Sequence, residues 1–130
     1  MNTRPGTRGN WGTIEFAARD DGESRTWEEF SSLGRIEKAS LHSTMSLLAS
    51  TGRVANEQRF KKVEGTDLWE LKKNQHRFLG RFLPGKRFIV AAYERKKRGR
   101  LQPETIERAE AVLNELMQKE ETEICVKPRA

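Results

Sequence analysis

Leu68-Trp69-Glu70-Leu71-Lys72-Lys73, His76-Arg77-Phe78-Leu79-Gly80-Arg81-Phe82 and Arg87-Phe88-Ile89-Val90-Ala91-Ala92-Tyr93 follow one another with short links. A basic run, Glu94-Arg95-Lys96-Lys97-Arg98-Gly99-Arg100, closes the series. Short runs rich in aromatic and branched residues, separated by turn formers, are the sequence form of an antiparallel meander. Asn74-Gln75 fits a tight link between the first two runs. Pro84-Gly85 favours a type II turn, whose twist suits a two-residue hairpin poorly, so a slightly longer loop is expected there. Side chains alternate along a strand, so Phe78, Gly80 and Phe82 share one face, and Arg77, Leu79 and Arg81 share the other. One face can then cover a core while the other carries guanidinium groups into solvent.

Working outward, Trp11 to Arg19 alternates Ile14, Phe16 and Ala18 against Thr13, Glu15 and Ala17 and reads as a strand. Residues 1–10 contain Gly, Arg and Pro without periodicity and read as a mobile arm. Thr26-Trp27-Glu28-Glu29 has the form of a capping box and predicts a short helix to about Leu33. Arg35 to Ser50 reads as a second helix with Leu41, Met45 and Leu48 on one face, closed by Thr51-Gly52. Arg53 to Gly65 reads as a polar connector. Pro103 and Glu104 suit a helix start, and Ile106, Ala109, Leu113 and Leu116 form its stripe to about Lys119. Residues 122–130 read as a tail or a short added strand. The expected order is β-α-α-β-β-β-α over a single domain, residues 11–121. That is an α+β fold with a small, mostly antiparallel sheet and helices packed on one face.

The 130 residues carry a net charge of +6, and the charge is unevenly spread. Arg59 to Arg100 holds 14 Lys/Arg against 4 Asp/Glu, a net of +10, which leaves −4 for the remainder. Charge concentrated on one block points to a polyanionic partner, and a solvated basic surface without a ligand is the plain alternative. A single cysteine, Cys125, excludes a disulfide framework and a Cys-rich metal site. His42 and His76 match no metal-ligand spacing. No apolar run reaches membrane-spanning length, and Met1 to Gly12 lacks the apolar stretch of a signal peptide, so the expected setting is the cytoplasm. Neither a metal nor another cofactor is expected.

These residues resemble a family. Leu68-Trp69-Glu70-Leu71-Lys72 resembles the L-(Y/W)-E-L-R strand of RelE/HigB-type toxins of bacterial toxin–antitoxin pairs, phage-derived relatives included. His76-Arg77-Phe78 resembles their Y-R-(V/I) strand, Arg87 to Ala92 their third strand, and Lys96-Lys97 their K-K loop. Pro103-Glu104-Thr105-Ile106-Glu107-Arg108-Ala109 is similar to their P-x-x-E-I-x-x-A helix start. The likeness covers roughly Phe60 to Lys119. Lys72 stands where the family usually has Arg, and His76 where it usually has Tyr.

The resemblance implies a RelE-like fold and an endoribonuclease that cleaves messenger RNA on the ribosome. It also implies a small helix-turn-helix antitoxin as partner. The alternative readings are a non-enzymatic protein of the same fold, such as a gyrase inhibitor, or a plain nucleic-acid-binding module, an inactive phage relic among them. In the cleavage, a ribose 2′-hydroxyl attacks its own 3′-phosphate, and fixed cations stabilise the phosphoryl oxygens. Arg77 on a strand is the first candidate, since its planar fork holds charge at any pH and binds phosphate bidentately. Arg81 on the same face and Lys72 on the neighbouring strand are further catalytic candidates. For the base or acid, Tyr93, His76 and a lysine of lowered pKa remain open, although the alternation turns His76 toward the core. Lys73, Arg95, Lys96, Lys97 and Arg98 are candidate RNA contacts; phosphate contacts fix position without reading sequence. Glu70 reads as ion-paired with a neighbouring Lys or Arg, with a role as base the other use. Trp69, Phe78, Phe82 and Phe88 can stack on bases but read as core.

Overall fold

The structure, a computed structural model, describes the backbone of residues 1–96 and 99–126 and the side chains of 1–96 and 99–122. The strands are β1 (Asn2–Arg8), β2 (Thr13–Ala18), β3 (Phe60–Lys62), β4 (Trp69–Lys73), β5 (His76–Leu83) and β6 (Arg87–Arg95). The helices are α1 (Arg25–Ser31), α2 (Arg35–Thr51) and α3 (Pro103–Val126). The six strands form one sheet in the order β1-β2-β6-β5-β4-β3. All described pairings are antiparallel except β2 with β6, where Ile14 lies beside Phe88 and Phe16 beside Val90. A parallel pair needs a long crossover, and the chain from α1 through β5 provides it. The protein is thus α+β with a mostly antiparallel sheet.

The meander forms where its turn residues predict it. Asn74, at φ 52°, tolerates the left-handed region, and β4 and β5 are joined by Asn74 and Gln75 alone. The β5–β6 loop is longer, spanning residues 84–86, with Gly85 at φ 92° and Lys86 at φ 59°. α2 ends at Gly52 in the left-handed conformation, φ 78°, and a Cβ there would meet the Trp11 indole at 2.5 Å. A side chain is doubly disfavoured at that position.

The helices cover both faces of the sheet, which corrects the expectation of one. On the first face, Phe30 of α1 and Leu41, Met45 and Leu48 of α2 pack on Ile14, Phe16, Leu71, Phe78, Phe88 and Val90. On the second, Ala109, Leu113 and Leu116 of α3 pack on Ala17, Leu79, Leu83, Ile89 and Ala92. The physical reason lies in β6. Phe88 to Ala92 are buried in succession, as in a strand with no solvated face. Burying a side chain of the size of Phe88 or Ile89 contributes about 1.5–3 kcal/mol, so a second helical layer is well rewarded.

Four further expectations are corrected. Residues 1–10 do not form an arm: Asn2–Arg8 pairs antiparallel with β2, and Arg4 sits 4.4 Å from the Trp27 ring centroid. The pairing tolerates Pro5 because β1 is the sheet edge and its register shifts between Pro5 and Thr7. Residues 122–130 are not all tail, since α3 continues to Val126. The connector contains β3, whose three residues extend the sheet beyond β4. At α1 the cap is Ser24 rather than Thr26: the Ser24 hydroxyl accepts from the Trp27 amide at 3.2 Å and donates to the Ala17 carbonyl at 2.7 Å. Among the described residues no helix is long and apolar enough to cross a membrane.

Candidate nucleic-acid interface

The ladder of β4, β5 and β6 sets the candidate site. Lys72 lies opposite Arg77, and Arg77 opposite Glu94. Glu70, two residues before Lys72 on the same face, lies between Lys61 of β3 and Leu79 of β5. Leu79 belongs to the cluster under α3, so this whole group occupies the α3 face. Glu94, buried, accepts from the Gln102 amide at 3.0 Å and so anchors the start of α3 beside Arg77.

Arg77 is held by its own hairpin. Its Nη1 donates to the Asn74 carbonyl at 2.6 Å and to the His76 carbonyl at 2.9 Å. Its Nε is buried and has no hydrogen-bond partner among the described residues. A guanidinium fixed in this way loses little freedom when an anion binds. Lys72 donates from Nζ to the Glu57 carbonyl at 3.0 Å. Partial burial holds the Lys72 amine below its usual range; Glu70 opposes that shift, while Arg77, Lys61 and Lys96 add to it.

Next to this group lies an open cavity of about 500 Å³. Lys61, Lys62, Glu64, Lys96 and Arg100 stand around it, Val63, Leu101 and Ile106 line its apolar part, and Glu70 forms part of its wall. Glu70 is only 8 % exposed, and its Oε2 has no hydrogen-bond partner among the described residues. The expected ion pair with a neighbouring cation is not among the salt bridges of the described residues. Lys72 and Arg77 flank the cavity without lining it.

The candidate residues thus divide. Lys72, Arg77 and Lys96 come together. Arg81 shares their face but is half-buried against α3, where its Nη2 donates to the Met117 sulfur. Tyr93 lies on the opposite face, against Phe78, and its hydroxyl meets His76 Nδ1 at 2.6 Å. Burial, and then Glu29, push the Tyr93 phenol up. Burial, and then Arg95, hold the His76 imidazole down. Both groups are therefore neutral near pH 7 and point away from Arg77. Lys73 and Arg95 share the His76 row on that opposite face. Lys97 and Arg98 lie outside the described residues.

Of the four aromatic residues, Phe78 and Phe88 are core as their spacing predicts, while Trp69 and Phe82 are half-buried against it. Phe78 and Phe88 are fully buried, and Trp69 stacks on Phe60 with centroids 4.9 Å apart. Sequence reading misses Lys61, Lys62 and Arg100 as a group with Glu70. Their only signal is Phe60-Lys61-Lys62, an apolar residue before two cations, which is too short to announce a strand. Another cation is engaged elsewhere: Arg87 forks onto both Glu15 oxygens at 2.9 Å and reaches Glu120 at 2.8 Å. Among the described residues no group of His, Cys, Asp and Glu is arranged to hold a metal ion. No protein-family model matches this chain, and no curated protein matches it.

Proposed function

We propose that this protein is an endoribonuclease of the RelE/HigB type, the toxin of a toxin–antitoxin pair, acting on messenger RNA at the ribosome. The observation that carries the reading is the pairing of Lys72 with Arg77 beside a cavity whose lining holds four cations, Lys61, Lys62, Lys96 and Arg100, against two carboxylates, Glu64 and Glu70. The order from β2 to α3, with the edge strands β1 and β3 set aside, is the β-α-α-β-β-β-α order that the resemblance implies, and it supports the same reading.

In this scheme the four lining cations draw in the RNA backbone and fix its position. Arg77 meets the phosphoryl oxygens as charge builds on them, with its fork already oriented by Asn74 and His76. Lys72 supplies the second charge, and its lowered pKa eases proton donation to a leaving oxygen. Arg81 and Tyr93 act in packing. A small helix-turn-helix antitoxin with an acidic segment would cover the basic face and silence it.

The position of Tyr93 favours one competing reading, a non-enzymatic nucleic-acid-binding module, because it removes a side-chain base from beside Arg77. That reading predicts salt-dependent binding and no cleavage. The test is a cell-free translation reaction with purified protein, followed by primer extension on the message. New termini with wild type, reduced roughly a hundredfold by Arg77→Ala, are expected. A message left intact by wild type would reject the enzyme.

A further inference from the structure

We infer that Glu70 receives the ribose 2′-hydroxyl, accepting its hydrogen bond when RNA lies in the cavity and taking its proton when the oxygen attacks phosphorus. The inference rests on the reading of the chain as a ribonuclease and adds the base which that reading lacks.

Three observations carry it. First, Glu70 is 8 % exposed and its Oε2 is without a partner among the described residues. A buried carboxylate oxygen without a donor is costly, and such a position is kept where a ligand supplies the donor. Second, the carboxylate borders a cavity where Lys61, Lys62, Lys96 and Arg100 outnumber the one other carboxylate in its lining, Glu64. The excess of cations disfavours a metal ion or an amine there and favours a polyanion. Bare phosphate offers Glu70 only repulsion. The RNA backbone, unlike DNA, carries a hydroxyl donor within the same sugar-phosphate unit. Third, the buried unpartnered Arg77 Nε lies on the same face in the adjacent row of the ladder. Glu70 and Arg77 are diagonal neighbours, a relation that spans about 7–8 Å between strands. An acceptor for the hydroxyl and a donor for the phosphate are then separated by roughly the width of one sugar-phosphate unit.

The step balances without a co-reactant. The O2′–H proton passes to Glu70, the O2′–P bond forms, and the P–O5′ bond breaks. The O5′ oxygen leaves with the bonding pair and takes a proton from Lys72 or solvent. Glu70 then returns its proton to water. The products are a 2′,3′-cyclic phosphate and a 5′-hydroxyl.

The test compares binding of two strands of one sequence, RNA and DNA, both with 5′-methylene phosphonate linkages. These linkages keep any 2′-hydroxyl but have no leaving oxygen. Wild type is expected to favour the RNA strand by roughly tenfold, the worth of one hydrogen bond to a charged group. Glu70→Ala should bring the ratio close to one. Glu70→Gln, which still accepts a hydrogen bond, should keep the preference yet slow cleavage of ordinary RNA by about a hundredfold or more. Melting temperatures of both variants should equal or exceed that of wild type, which separates this role from a structural one. A wild-type preference that Glu70→Ala retains in full would overturn the inference and leave the ribonuclease reading standing. A wild type that neither prefers nor cleaves RNA would overturn both.

Discussion

Lys72 and Arg77 face each other across the β4–β5 ladder, five residues apart in sequence and joined by a hairpin whose Asn74 carbonyl holds the Arg77 guanidinium. The two-residue link makes this pairing a local consequence of sequence, and the hydrogen bonds from Arg77 to Asn74 and His76 keep its charge in place. Arg77→Lys keeps the charge but loses the planar fork. Cleavage by Arg77→Lys should therefore fall well below wild type, by roughly tenfold, and remain above Arg77→Ala. Rates from primer extension measure the ranking.

The Glu15–Arg87–Glu120 group fastens β2, β6 and α3 together. Burial raises the Glu15 carboxyl, but hydrogen bonds from Arg87, Thr13 and Thr3 outweigh it and bring the pKa to about 2. The folded state therefore binds this proton more weakly than the unfolded chain does. The resulting stability is complete above the ordinary value of 4.5 and is lost as pH falls toward about 2. Screening at this partly exposed site reduces it to on the order of 2 kcal/mol. Urea unfolding of wild type and Arg87→Gln between pH 2 and 6 should show the acid limb flattened in the variant.

Tyr93→Phe removes the 2.6 Å hydrogen bond to His76. A loss of about 1 kcal/mol in stability is expected, with cleavage within a few-fold of wild type because Tyr93 faces away from Arg77. Burial holds the His76 imidazole below its usual value, so the neutral ring is the folded form. His76 then contributes stability that is present above the unfolded value near 6.5 and declines as pH falls through the lower, folded value. Denaturant midpoints across pH 5 to 8, with relative cleavage rates, measure both effects.

Removing residues 1–8 deletes an edge strand rather than a loose arm. It uncovers the β2 edge and the ring of Trp27 under Arg4. A lower melting temperature and a tendency to self-associate through the bared strand are expected. Gly6→Ala should act in the same direction, because a Cβ there would sit 2.7 Å from the Ile14 carbonyl oxygen. Calorimetry and size-exclusion chromatography of both variants provide the check.

The meander is legible in the sequence because each strand is apolar and each link carries a turn residue. β1 is not, because an edge strand with mostly exposed side chains shows no apolar alternation. The second helical layer is written in Phe88 to Ala92, whose unbroken apolar run marks a strand covered on both faces, whereas the alternation of β5 alone implies one. The faces of Lys72, Arg77 and Arg81 follow from period two. That of Tyr93 does not, because the register of β5 on β6 shifts between Leu79 and Gly80. The extra residue, Ala91, turns everything after it by one position, so Tyr93 joins Phe78 instead of Arg77. The cavity around Glu70 gathers Lys61, Lys96 and Arg100 from three separate segments, which no local pattern announces.

The most direct test pits the two faces against each other at equal net charge. Lys72→Ala with Arg77→Ala removes two charges from the α3 face, and Lys73→Ala with Arg95→Ala removes two from the opposite one. Message cleavage in cell-free translation is measured for both double variants. The first should lose roughly a hundredfold or more, and the second should stay within a few-fold of wild type. Equal losses in the two, or a larger loss in the second, would contradict the assignment of the site to the Lys72–Arg77 face.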